Sequence, residues 1–500
     1  MSKVRNVADL KMQISQKSLK KLDTILGLLF FTICMLRFQA FLKNCLGQSS
    51  DLCWLIRTGD WILLHKDLPT TDLFSWWQPA RLVVPYQWTF EIFASLLNKT
   101  AGVWSIGLFS NVVGSIFLFW ILPRNWLLRN IPFSITFAML SLVSSAYWHF
   151  PRPQLFVWVY SAFLLYLLEE ARRKDETRYL FLLPPLILLW VNAHPSFAFA
   201  LLTITIYFVV GALKKKVLRT QISLGAIFIA SALSTILTPK GTLFVSHAMS
   251  FANGGQYLRI HEVLPAYQNP DLHPFLAYSI LACALIAFFW KNLPLEKCIV
   301  SLFFIALGIS VNRFEPLSII ASWSCVGDSI TLGLSKYLRV QNSDTACIRA
   351  SDVSAGHLWR SGSSFFVALL IGCVLWKADV PNEREAQAQL LNYADRSLLL
   401  MPEQRGKTRL FNDPICGNWM IFTGLGRPFM SNQFDSYKPQ TISEVVKVLN
   451  GDNFSTFLNT QEIDCILIQN YCPLHKALKN SSQWTLIRGT NSMSYWERTN

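Results

Sequence analysis

Apolar runs separated by short basic connections organise this 500-residue chain. The first run begins near Leu22, after six basic residues (Lys3, Arg5, Lys11, Lys17, Lys20 and Lys21), and no small-residue cleavage site follows it. The pattern reads as a membrane helix over 23–43 behind a basic arm, 1–22, and not as a removable signal. Further runs at 104–122, 132–149, 154–169, 179–193, 197–213, 222–238, 274–290, 298–311, 316–335 and 363–378 bring the expected spans to about eleven. Several are shorter than the ~20 residues that cross a bilayer comfortably. Asp328 interrupts the pair over 298–335.

Lysine and arginine set the orientation. With the N-terminus inside, the inner connections hold 22 of them and the short outer connections hold 4: Arg152, Lys240, Arg259 and Arg313. Positive charge gathers on the cytoplasmic side, so eleven crossings leave the C-terminal segment outside. The pattern changes after residue 379. Residues 380–500 read as a separate α/β domain, with strands expected at Arg409–Asn412, Arg427–Ser431, Asp464–Gln469, Trp484–Arg488 and Met493–Glu497. Helices are expected at 383–396, 441–450 and 473–480. Alternation of this kind predicts a mainly parallel sheet covered by helices. The predicted fold class is therefore a polytopic α-helical membrane protein, 23–379, with a soluble α/β tail.

Composition agrees. Hydrophobic residues are 52% and charged residues 15%, against about 25% charge in ordinary soluble domains. A soluble globule and a disordered chain are both excluded. The net charge of +15 does not point to nucleic acid: from Val380 onward 12 basic residues meet 11 acidic ones, and the excess lies among the apolar runs.

Polar residues near helix ends carry the functional signal in such a chain. On the expected outer side lies a long first loop, 44–103. It holds Asp51-Leu-Cys-Trp54, Arg57, Gly59-Asp-Trp-Ile62, Pro69-Thr-Thr-Asp72-Leu-Phe-Ser75-Trp-Trp77 and Pro85-Tyr-Gln87-Trp88. Trp54, Ile56, Trp61, Leu63 and Leu64 have the spacing of a helix lying in the membrane interface. The other outer turns bring His149-Phe-Pro-Arg152-Pro-Gln154, Asn192-Ala-His194-Pro-Ser, His261-Glu262 and Asn312-Arg313-Phe-Glu315-Pro. Asp51, Asp72, Arg152, His194, Glu262 and Arg313 are expected to share one outward-facing cavity. Each has a structural alternative: Asp51 as a helix cap, Asp72 as a turn residue, the arginines as interface snorkelers and His194 as a wet helix end. Together they suit transfer of a group from an anionic lipid carrier. A carboxylate takes the proton of an acceptor hydroxyl, and arginines hold a phosphate leaving group.

The chain resembles the GT-C superfamily of polytopic glycosyltransferases that use polyprenyl-linked sugars. Asp51-Leu-Cys-Trp54 is similar to the Asp-x-x-Trp/Phe stretch of oligosaccharyltransferase catalytic subunits. Gly59 to Ser75, Arg152 to Phe156, Leu182 to His194 and Arg409-Leu-Phe-Asn412-Asp413 resemble, in order and spacing, a group of uncharacterised bacterial GT-C-like proteins with an outer α/β domain. The resemblance implies a glycosyltransferase in the bacterial inner membrane, moving a sugar from a polyprenyl-(pyro)phosphate donor to a glycan or protein acceptor on the outer face. It implies Asp51 and Asp72 as catalytic carboxylates, with Arg57, Gln87, Trp88, Arg152, Asn192, His194, Glu262 and Arg313 around the substrate. The sequence departs from the group at Leu55 and Gln87, where histidines are usual, at Pro195-Ser196 in place of Gly-Gly, and at Ser431-Asn432-Gln433 in place of Asp-Gly-Arg. No acidic pair occupies 150–153, so a divalent metal stays open as a cofactor but is not indicated. These departures keep a catalytically silent assembly protein open as an alternative. A lipid-linked saccharide transporter would want inverted repeats and broken helices, and neither is evident.

The eleven cysteines include no Cys-x-x-Cys metal spacing. Cys34, Cys283, Cys298, Cys325 and Cys373 fall in apolar runs and are expected to pack as small apolar groups. Cys45 with Cys53, and Cys416, Cys465 and Cys472 among themselves, are candidates for disulfides in an oxidising compartment.

Overall fold

The computed structural model describes residues 51–77, 81–111, 113, 151–174, 176–214, 218–253, 264–341, 387, 391 and 394–499. The basic arm, the expected spans at 23–43, 132–149 and 363–378, most of 104–122, Cys45 and Glu262 lie outside these residues.

The first-loop segment folds into helices. α1 spans Asp51–His65, α2 Trp88–Ala101 and α3 Val103–Asn111. α1 and α2 pack with almost no gap: a Cβ on Gly59 would lie 2.0 Å from the Glu91 carbonyl oxygen, a distance that only glycine permits. Between them the chain doubles back, with Thr71 bridged to Leu82 and the Asp72 amide donating to the Arg81 carbonyl at 2.7 Å.

The bundle follows. α4 is Gln154–Lys174, α5 Leu183–Val191, α6 Phe197–Leu213, α7 Leu218–Ser234, α8 Leu243–Asn253, α9 His273–Phe289, α10 Leu295–Ser310 and α11 Glu315–Gln341. Two described helical stretches, Gln154–Lys174 and Pro270–Asn292, are long and apolar enough to cross a membrane, and shorter apolar ones run Thr177–Val191, Phe197–Leu213 and Ile222–Ser234. Pro184 and Pro185 start α5, where their missing N–H groups cost nothing. The pair over 298–335 is helical despite Asp328, because the Lys297 ammonium lies 2.7 Å from the Asp328 carboxylate. Gly308 lets α10 and α11 close up, since a Cβ there would meet the Ser318 hydroxyl at 2.1 Å. Cys298 and Cys325 face each other across that contact with sulfurs 3.9 Å apart, both as free thiols.

The C-terminal unit is a small mixed sheet with helices. After short turns at Arg396–Leu399 and Met401–Gln404 come β1 (Leu410–Asn412), α12 (Pro414–Thr423), α13 (Pro439–Leu449), α14 (Phe454–Thr460), β2 (Cys465–Gln469), α15 (Pro473–Lys479), β3 (Trp484–Gly489) and β4 (Met493–Arg498). The strand order is β1-β2-β4-β3. Only β1 and β2 are parallel; β4 is antiparallel to both its neighbours. The expectation of a mainly parallel sheet is thus corrected, because the turn between β3 and β4 is a hairpin and not a crossover. The strand expected at Arg427–Ser431 is absent. That segment spends its backbone groups on the Asn412 side chain, which accepts from the Phe429 amide at 2.7 Å and donates to the Met430 carbonyl at 2.7 Å. The unforeseen helix α12 has clear end signals. Asp413 accepts from the Ile415 and Cys416 amides, Pro414 opens the first turn, and Gly424 closes it with φ 71°. Cys416, Cys465 and Cys472 are free thiols, as is Cys53.

The two halves share a core. Leu52, Cys53, Trp54, Leu55 and Ile56 of α1 and Phe90 of α2 are buried in one cluster with Leu410, Trp419, Met420, Leu467 and Tyr495 of the C-terminal unit. The interfacial-helix expectation is corrected accordingly. Trp54 and Ile56 are covered by protein, while Leu64 is 77% exposed. The same apolar spacing that suits a membrane surface suits a protein partner, and burial of these side chains is worth about 1.5–3 kcal/mol each.

Candidate functional site

Asp51 occupies the first turn of α1, where a carboxylate is favoured by the helix dipole. Its Oδ2 lies 3.4 Å from Nε of Arg152, which sits just before α4. Both side chains are partly open, at 24% and 20% exposure. The pair is thus held by two element starts and remains reachable from solvent. It joins an anionic group that can accept a proton to a cationic group that can hold a phosphate.

A second set lies at the junction of α5 and α6. Trp88 at the start of α2 donates through its indole nitrogen to Oδ1 of Asn192 at 2.9 Å, and the Thr89 hydroxyl donates to the Asn192 carbonyl at 3.0 Å. Gln87 is buried and its carbonyl accepts from the Phe90 and Glu91 amides, so it starts α2. His194 sits in the turn itself. Its Nδ1 is 2.9 Å from the Ser196 hydroxyl and 3.2 Å from the Ser196 amide. The Trp190 indole N–H donates to that same hydroxyl at 3.0 Å. The Ser196 amide can only donate, so it donates to Nδ1, and the Ser196 hydroxyl, which accepts from Trp190, directs its own proton to the same nitrogen. Nδ1 is then an acceptor, and the neutral ring carries its hydrogen on Nε2. Burial and the Arg313 and His247 charges push the His194 pKa down to about 3, so the ring stays neutral near pH 7. The Tyr86 ring stands edge-on to His194 with centroids 6.5 Å apart and stacks on His247 at 4.7 Å. Tyr86 and His247 were not among the residues expected here. The only sequence signal for His247 is a histidine inside an otherwise apolar helix, which usually marks a packed core residue.

Two candidates have structural partners. Arg57 sends Nε and Nη2 to the Phe422 carbonyl at 3.0 and 2.6 Å and Nη1 to Asp60 at 3.2 Å. Its guanidinium therefore docks the end of α12 onto α1. Asp72 accepts from the Phe74 and Ser75 amides through Oδ1, the turn role its Pro-Thr-Thr-Asp context allows. Its Oδ2 is buried and has no hydrogen-bond partner among the described residues. The charge of Asp72 acts on Arg81 and Tyr437. The structure thus brings Asp51 to Arg152, Asn192 to Trp88 and His194 to Ser196 and Tyr86, while Asp72 joins the C-terminal unit. Among the described residues no group of three or more His, Cys, Asp or Glu side chains is placed to hold a metal ion.

The bundle also contains an ion network that the sequence did not announce. Glu169 accepts from Arg172, from the Tyr207 hydroxyl at 2.6 Å and from Lys297 at 2.6 Å. Lys214 reaches Glu296 at 3.0 Å.

No family model and no curated protein matches the sequence. Solved structures do match the fold. The Archaeoglobus fulgidus oligosaccharyltransferase, tethered by a disulfide to an acceptor peptide containing the NVT sequon, superposes with a TM-score of 0.52 at 14% identity, over 88% of this chain and 69% of that one. Its apo form gives the same values. The archaeal oligosaccharyltransferase AglB from the same organism, in complex with an inhibitory peptide and a dolichol-phosphate, gives 0.51 at 14% identity over 94% and 74%. The chain shares the overall fold of these oligosaccharyltransferases. At this identity the likeness is one of fold, and the roles of individual side chains rest on their own geometry.

Proposed function

We propose that the protein is a membrane glycosyltransferase that moves a sugar from a polyprenyl-phosphate or polyprenyl-pyrophosphate donor to an acceptor hydroxyl or amide, on the outer face of a bacterial inner membrane. The observation that carries the reading is the partly exposed Asp51–Arg152 pair in a fold like that of the oligosaccharyltransferases. Asp51 takes the acceptor proton as the acceptor atom bonds to the anomeric carbon. The bond from that carbon to the phosphate oxygen breaks, and Arg152 and Arg313 hold the departing lipid phosphate. His194, fixed as the Nε2–H form by Ser196, is a neutral hydrogen-bond donor for the same step. The neighbour solved with dolichol-phosphate supports a lipid-phosphate partner of this kind. On this reading the tail, 380–500, lies outside with the acceptor, and a reporter fused after Asn500 is expected to read as periplasmic.

The test is turnover by the full-length protein in nanodiscs, supplied with polyprenyl-linked sugars and scored by release of the lipid phosphate. Asp51→Asn keeps size and dipole geometry but cannot take a proton. It is expected to lower turnover by roughly 10²-fold with the melting temperature nearly unchanged. Full activity in this variant removes Asp51 from the chemistry. A silent assembly protein on the same fold is favoured by the commitment of Arg57 to Phe422, and it becomes the better reading if the wild type releases no lipid phosphate from any donor.

A further inference from the structure

The hairpin of α10 and α11 carries two thiols that the transferase step does not use. Its helices run antiparallel, and their contacts fall in one row: Lys297 with Asp328, Cys298 with Cys325, Ser301 with Ala321 and Phe304 with Ser318. Cys298 and Cys325 are both buried, with sulfurs 3.9 Å apart, in contact and unbonded. Contacts on either side hold them there. On one side the Lys297 ammonium lies 2.7 Å from the Asp328 carboxylate, and on the other the Ser301 hydroxyl donates to the Ala321 carbonyl at 3.2 Å. A disulfide needs Cα atoms about 4.4–6.8 Å apart. A serine hydroxyl that bridges directly to the opposite main chain, one turn away, marks backbones that lie this close, and the Gly308–Ser318 contact continues the same close approach. Reacting groups held in contact behave as if at very high concentration.

We propose that Cys298 and Cys325 form an oxidisable dithiol, a modification site at which hydrogen peroxide closes a disulfide across the hairpin. Cys298 stands in the first turn of α10, and a helix start is the setting that favours attack by a thiol. Its sulfur attacks one peroxide oxygen, the O–O bond breaks, and a sulfenic acid forms with release of water. The Cys325 sulfur then displaces the sulfenic hydroxyl as a second water. The two thiols lose two electrons and two protons, and the peroxide is reduced to water. Peroxide is small and uncharged, so burial of the pair does not bar it. A thiol reductant reverses the step. The turn between the two helices, 311–314, carries Arg313. Oxidation therefore stiffens the hairpin behind Arg313. An effect on turnover rests on the transferase reading, and formation of the bond does not.

The experiment treats the full-length protein in nanodiscs with increasing hydrogen peroxide, blocks the remaining thiols with a maleimide during denaturation, and reads the digest by mass spectrometry. A cross-linked Cys298–Cys325 peptide is expected at roughly tenfold less peroxide than oxidation of the buried thiols Cys53 and Cys465 requires. It is expected to vanish after a thiol reductant and to accompany a rise in melting temperature, since the bond restricts the unfolded chain. Cys325→Ala is expected to leave Cys298 as a sulfenic acid that dimedone traps. The cross-link is read in the wild type, so the proposal does not depend on how well the variant folds. Absence of the Cys298–Cys325 peptide at peroxide levels that oxidise Cys53, or cross-links spread evenly over other cysteine pairs, overturns the proposal. A Cys325→Ala chain that folds and gives no dimedone adduct at Cys298 overturns the order of attack. If the wild type releases no lipid phosphate in either redox form while the cross-link appears, the transferase reading fails and the dithiol stands.

Discussion

Glu169 and Asp51 lie toward opposite ends of the same bundle, and their surroundings differ in kind. Glu169 accepts from Arg172, Tyr207 and Lys297, and Lys297 in turn holds Asp328. Asp51 has an ion pair at 3.4 Å with Arg152, and both side chains are partly exposed. The two positions are separated by most of α4, about 20 Å at 1.5 Å per residue. A matched network around a buried pair such as Glu169 and Lys297 resists change, since each member is needed by the others. A loosely matched pair at a helix start keeps capacity for a ligand. The first end holds the helices together; the second is where the proposed transfer is assigned.

Substitutions separate the two. The largest effect is expected from Lys297→Met, which leaves Glu169 and Asp328 without their shared cation. Removing one partner of a buried pair costs about 3–5 kcal/mol, so thermal melting in detergent is expected to show a large loss of stability. A melting temperature close to wild type would mean that the network is not structural. Next comes Arg152→Gln. Charge-assisted hydrogen bonds are worth about 1.5–3 kcal/mol, so donor affinity or turnover is expected to fall roughly 10- to 100-fold while melting moves little. Equal stability losses at Arg152 and Lys297 would erase the distinction between the ends.

Gly59→Ala sharpens the comparison from another side. A Cβ 2.0 Å from the Glu91 carbonyl forces α1 away from α2, at a cost of about 1–3 kcal/mol. Because α1 carries Asp51, melting temperature and turnover are expected to drop together, unlike Asp51→Asn, where only turnover falls. The smallest effect concerns pH. His194 has a pKa of about 3 in the folded chain, below its ordinary value near 6.5. The unfolded chain then binds the extra proton more readily, so this residue's contribution to stability is complete above about pH 6.5 and declines as pH falls from there toward 3. Melting temperature measured between pH 7 and 5 is expected to decrease in the wild type and to decrease less in His194→Gln. Identical slopes would show that His194 titrates normally.

Much of the helical layout was legible because the signal is local. Apolar runs predicted α4, α6, α9 and α10 to within a few residues, and the end signals of α12, Asp413-Pro414 and Gly424, were present though unread. The sheet was less legible. β1 through β4 have strand-like sequences, but parallel or antiparallel pairing depends on where the chain returns, and Arg427–Ser431 lost its strand to one asparagine side chain 15 or more residues away. In the site, Arg152, Asn192 and His194 were singled out by their place in turns between apolar runs, and the structure gives each a polar partner in Asp51, Trp88 and Ser196. The acceptor state of His194 Nδ1 was not visible, because it follows from the turn that aims the Ser196 amide at that nitrogen.

By itself the sequence determined that the chain is rich in apolar helices, that its basic residues gather in one set of connections and that the tail differs in kind from the rest. Composition and period are properties of neighbours along the chain, so they survive without coordinates. The tertiary structure alone decided that α1 is buried against the C-terminal unit and not spread on a membrane, that Asp328 inside an apolar run is neutralised by Lys297, and that Asp51 meets Arg152 while Asp72 meets Arg81. Each of these turns on which distant side chain fills the space opposite. An apolar face or an isolated charge specifies that it needs a partner, and only the packed chain specifies which one.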